Sequence, residues 1–150
     1  MAEKSGKNQA PFSSHEFQSD ALSIQDALIV LAIRMTGEEI SRNPSAKQQI
    51  VALARTSPLF AMEVYETTEG RINRFVNWAG SPAMDELFPQ ALDILNGDYR
   101  SQALAWAAAN VLSQQRSDEG SAMLHHIAQA LGFSAEEVEA QLEKTRRESH

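Results

Sequence analysis

Two pairs of neighbouring carboxylates, Glu38 with Glu39 and Asp118 with Glu119, are the residues of this 150-residue chain best suited to chemistry. Each pair follows a long apolar segment, so loops that faced one another would bring four carboxylates together. Hard divalent cations take six or more oxygens from converging carboxylates, carbonyls and water. These four acids are therefore the candidate metal ligands, and a divalent-cation-binding sensor is one reading of the chain. Acids beside helix N-termini also favour the helix dipole and solubility without holding anything. That simpler account is preferred, and no cofactor is expected.

Other constellations lead to packing rather than chemistry. His125 and His126 are adjacent, so on a helix they diverge by about 100°, whereas paired metal ligands sit three or four residues apart. One is expected at the surface and one at the edge of the core. The chain has no cysteine and lacks the Gly-x-Ser-x-Gly elbow, the P-loop, Gly-x-Gly-x-x-Gly and His-Glu-x-x-His, so an enzyme is not expected. Arg71, Arg74, Phe75 and Trp78 mix basic and aromatic groups in the manner of a single-strand stacking surface. Ile72, Phe75, Val76 and Ala79 nevertheless recur at i, i+3, i+4 and i+7, which a core-facing helix explains without a ligand. The two arginines are left to meet an acidic partner. Thirteen Lys plus Arg against twenty Asp plus Glu give a net charge of -7, which repels phosphate backbones; no nucleic acid is expected.

The elements that must position these residues are marked by their start signals. Asn43-Pro44, Ser57-Pro58 and Ser81-Pro82 each pair a capping side chain with a proline that loses no hydrogen bond at a first helical position. Ser134 followed by Glu137 forms a capping box just after Gly132. The pattern predicts helices over 20–35, 44–56, a short one from 58, 68–79, 82–95, 99–115, 118–131 and 135–146. No stretch alternates apolar and polar residues, so the fold is all-α, a compact bundle of about seven or eight helices forming one domain over residues 19–150. Residues 1–18 read as a flexible arm in which Phe12 and Phe17 are the only large apolar groups, able to dock back on the domain. The apolar runs 27–33 and 103–109 have no polar face and are predicted to be the buried core pair, with Trp106 as its anchor. Seven apolar residues fall far short of the roughly twenty a membrane span needs. With no signal-like apolar core at the N-terminus, a cytoplasmic location is expected.

The chain also resembles itself. An offset of 76 residues lays Ala27-Leu28 over Ala103-Leu104, and after one insertion Gln48 to Leu53 lies over His125 to Ala130 and Ser57 over Ser134. Both halves then read as a buried helix, a polar loop, an amphipathic helix and a capped third helix. The stretch Asp118-Glu119-Gly120-Ser121-Ala122-Met123-Leu124-His125-His126-Ile127-Ala128-Gln129-Ala130-Leu131-Gly132-Phe133-Ser134-Ala135-Glu136-Glu137 resembles the C-terminal signature of the TerB-like tellurite-resistance family. Ala27-Leu28 through Thr36-Gly37-Glu38-Glu39-Ile40-Ser41 resembles its first repeat, and Gly70-Arg71-Ile72-Asn73-Arg74-Phe75 its middle helix; the likeness spans roughly 21–142. It implies a helical bundle with an internal repeat, and a protein-binding role in bacterial tellurite resistance or stress response. The family's turn carries Ala-Asp-Gly followed by acids in both repeats. Here both motif aspartates are missing, only Glu38, Glu39, Asp118 and Glu119 remain acidic, and Arg116 sits among the second set.

Overall fold

The first helix, α1 (Ile24–Thr36), begins where the Ser23 hydroxyl accepts from the Asp26 N–H at 3.0 Å and the Asp26 carboxylate accepts in return from the Ser23 N–H at 3.2 Å. This reciprocal box sets the start at Ile24, four residues later than the periodicity predicts. The computed structural model describes residues 22–114 and 118–148, and of Glu38, Glu39, Gln114, Asp118 and Glu119 the backbone alone. The predicted arm, residues 1–18 with Phe12 and Phe17, lies outside the described residues, as does Arg116.

Gly37, at φ +101°, ends α1, and a 3₁₀ turn over Glu38–Arg42 follows that the periodicity does not reveal. Next come α2 (Pro44–Thr56), a 3₁₀ turn (Pro58–Phe60), α3 (Tyr65–Val76), α4 (Pro82–Leu95), α5 (Arg100–Gln114), α6 (Asp118–Ala130) and α7 (Ala135–Glu148). Among the described residues there is no strand, and the all-α expectation holds. Helix α3 opens three residues before its predicted start. Its first N–H groups turn back on the Val64 carbonyl, while the Thr68 hydroxyl is drawn to Glu63 at 2.8 Å. Pro89 lies inside α4 without ending it, on the exposed face.

Asn43 Oδ1 accepts from the Ala46 N–H at 3.1 Å, the Ser57 hydroxyl from Leu59 at 3.2 Å, and the Ser134–Glu137 box closes at 3.1 and 2.8 Å. Ser81 stands at the expected position but donates its hydroxyl to the Trp78 carbonyl at 2.6 Å, and makes no cap bond. Asn43→Ala and Ser134→Ala should therefore each lower unfolding free energy by about 1 kcal/mol, with Asn43→Asp close to neutral. Denaturant titration of the three variants checks this.

Every residue from 27 to 33 is at most 1% exposed, as a helix without a polar face requires. Helix α1 is the hub: α3, α4, α5 and α6 all lie against it. Helix α5 is packed by α1, α2, α6 and α7. Its apolar run is less completely covered than predicted. Ala103, Leu104, Trp106, Ala107 and Ala108 are buried, but Ala105 and Ala109 are only half-buried. A methyl side chain carries little apolar area, so a face made of alanines gains little from being covered. Trp106 anchors the pair as expected, its indole Nε1 donating to the Leu28 carbonyl at 2.7 Å.

Candidate functional site

The two acid pairs begin separate elements near one cavity wall. Gly37, the residue before Glu38, and Met123, in the same helix as Asp118 and Glu119, both line a pocket of about 260 Å³, together with Ile33, Arg34, Ala79, Gly80, Met84 and Asp85. The backbone of Glu38 and Glu39 opens the first 3₁₀ turn and that of Asp118 and Glu119 opens α6. Their side chains lie outside the described residues. The charged groups described in the cavity wall are Arg34 and Asp85, paired at 2.8 Å, with the guanidinium 4.8 Å above the Phe88 ring. Among the described residues no group of three or more His, Cys, Asp or Glu is placed to hold a metal ion. His125 and His126 diverge as their spacing demands. His125 is half-buried with Nε2 3.7 Å from Glu139, and His126 is exposed and stacks on Phe88 at 6.0 Å between ring centroids.

The uncovered face of α5 gives a larger site that the sequence reading did not find. Gln102, Ala105, Trp106 and Ala109 fall at i, i+3, i+4 and i+7 and form the floor of a groove of about 490 Å³, within the range of small-ligand and peptide-anchor pockets. One wall is apolar, made by Leu53, Pro58 and Leu59 where α2 ends and the second 3₁₀ turn begins. The other is polar, made by Gln141, Thr145 and Glu148 along α7. Thr145 donates to the Gln141 carbonyl at 2.8 Å and accepts from Gln141 Nε2 at 3.0 Å, so that wall is internally tied. The Ser57 cap and the Pro58 ring hold the apolar wall, and the Phe60 ring buttresses it from within by packing on Trp106 at 5.4 Å. A floor of alanines admits the close approach of another backbone, and walls of opposite character suit a segment that is itself amphipathic. The sequence signal was present in the alanine spacing of 103–109, but an all-apolar run reads as core.

Arg71 and Arg74 find their acidic partner within the chain. Arg71 reaches Asp26 at 2.6 Å and Glu63 at 2.8 Å, and Arg74 lies 4.0 Å from Asp26. Burial opposes the charge on Arg71, but hydrogen bonds and Coulombic attraction from Asp26 and Glu63 together outweigh it and hold its pKa above the ordinary arginine value. This cluster ties the loop before α3 to the start of α1 and leaves Met62 and Val64 exposed at the loop tip.

No family model, curated protein or solved structure matches this chain. Of the two concavities described above, the α5 groove is the larger, at about 490 Å³ against about 260 Å³.

Proposed function

We propose that the protein is a non-enzymatic, TerB-like binding protein that grips an amphipathic segment of a protein partner in the α5 groove, in a setting of bacterial stress response or tellurite resistance. The observation that carries the binding reading is the groove itself: Leu53, Pro58 and Leu59 on one side, Ala105, Trp106 and Ala109 in the floor, and the polar Gln141, Thr145 and Glu148 of α7 on the other. The TerB-like reading rests on the sequence resemblance over roughly 21–142. A cytoplasmic location accords with a chain in which, among the described residues, no helix is long and apolar enough to cross a membrane.

Peptides selected from a random display library against the protein test the binding reading. They are expected to carry apolar anchors at helical spacing and to lose about tenfold or more in affinity on Ala105→Arg or Ala109→Arg, because a buried anchor contributes on the order of 2 kcal/mol. Gln90→Arg, on the exposed face of α4, should leave them unaffected. Selected peptides indifferent to both groove substitutions would refute the assignment.

The second reading, a divalent-cation sensor, draws on Glu38, Glu39, Asp118 and Glu119, which open the first 3₁₀ turn and α6. Calorimetric titration with calcium, magnesium, manganese and zinc separates the two. A binding protein without a cation site is expected to give no saturable heat and no thermal shift.

A further inference from the structure

We infer that the α5 groove is occupied in the intact chain by the chain's own N-terminal segment, residues 10–18, seated through Phe12 and Phe17. The inference rests on the groove being a binding surface and adds its regulation: a partner must displace the arm. Its first support is where the described chain begins. Leu22 is buried, and three residues on, Gln25 Nε2 donates to the Leu59 carbonyl at 2.7 Å, with Leu59 itself in the apolar wall. The described chain therefore begins one helical turn from a residue bonded to that wall. Reach is the second support. Phe17 stands five positions before Leu22 and Phe12 ten, and an extended chain spans up to roughly 3.5 Å per residue, which gives the rings a reach on the order of 17 and 35 Å. Composition is the third. In an otherwise polar arm those two rings are the only large apolar groups, and Ser13, Ser14, His15 and Glu16 between them supply the polar side that the Gln141 and Thr145 wall can hydrogen-bond. Tethering makes the contact intramolecular, at an effective concentration on the order of millimolar, so weak anchoring suffices.

Nuclear Overhauser spectroscopy on the full chain, with the alanine methyls of 105 and 109 labelled, decides the matter. Cross-peaks are expected from the Phe12 and Phe17 rings to both methyls. In the full-length F12A/F17A variant they vanish, the two methyl resonances shift, and 1-anilinonaphthalene-8-sulfonate binds the groove roughly tenfold or more tightly once the tethered competitor is gone. A sample mixing labelled and unlabelled chains must show the ring contacts within one molecule; contacts only between molecules would assign the groove to the arm of a second copy and overturn the inference. Absence of ring contacts in the parent chain also overturns it. In that case dye cross-peaks to Ala105 in either chain leave the groove reading standing, whereas no dye contact in either chain sinks both.

Discussion

Trp106→Ala should be the most damaging single substitution in the chain, lowering unfolding free energy by about 3–5 kcal/mol, the usual cost of truncating a buried tryptophan. The side chain is 5% exposed in the middle of α5, donates to the Leu28 carbonyl across the α1–α5 contact, and packs obliquely on Phe60. Its neighbours in α5 are alanines, which have no larger side chains to move into the space. Since domains of this size are stable by only about 5–15 kcal/mol, the variant should melt far below the parent in a thermal scan. Trp106→Phe separates the contributions. It keeps most of the apolar bulk and the contact with Phe60, but loses the indole donor, at a cost of about 1–2 kcal/mol. If the phenylalanine variant were as unstable as the alanine one, the Leu28 hydrogen bond rather than the packing would be the main link between the two helices.

The features legible in the sequence share a physical cause, namely local signals that no tertiary contact overrides. Asn43, Ser57 and Ser134 cap helices with their own side chains, and the run 27–33 is buried because nothing on it is polar. Legibility failed where a signal had two readings. Ser81 has the sequence of a cap, but its hydroxyl is taken by the Trp78 carbonyl within the preceding turn. Ala105 and Ala109 have the composition of core, yet they form the floor of the groove, because whether a small apolar residue is covered depends on where α7 and the 58–60 turn come to lie. Arg71 and Arg74 invite an external acidic partner in any linear reading. Glu63 lies in the loop just before α3, but Asp26, the partner common to both arginines, is 45 residues from Arg71, and only the fold brings it there.

Arg71→Leu exploits that long-range cluster and should cost about 2–3 kcal/mol. Removing one member of a fully buried ion pair costs about 3–5 kcal/mol by stranding the other charge. Here the Arg71 side chain is 25% exposed, and Asp26 and Glu63 are 11% and 14% exposed, so water screens part of the penalty and the lower figure applies. Arg71 remains protonated at every usable pH, because its neighbours raise its pKa rather than lower it. In the parent chain the arginine therefore contributes no titration of its own near neutrality. In the variant the two carboxylates are the destabilising groups, because each loses its closest guanidinium contact, leaving Asp26 with Arg74 at 4.0 Å and Glu63 with the Thr68 hydroxyl. Asp26→Asn in the Arg71→Leu background should recover part of the loss for the same reason, since the amide oxygen can still accept the Ser23 N–H bond that starts α1. Denaturant unfolding of the single and double variants measures both effects. A double variant no more stable than Arg71→Leu alone would mean that Arg71 stabilises the α1–α3 junction through its aliphatic stem and not through its charge.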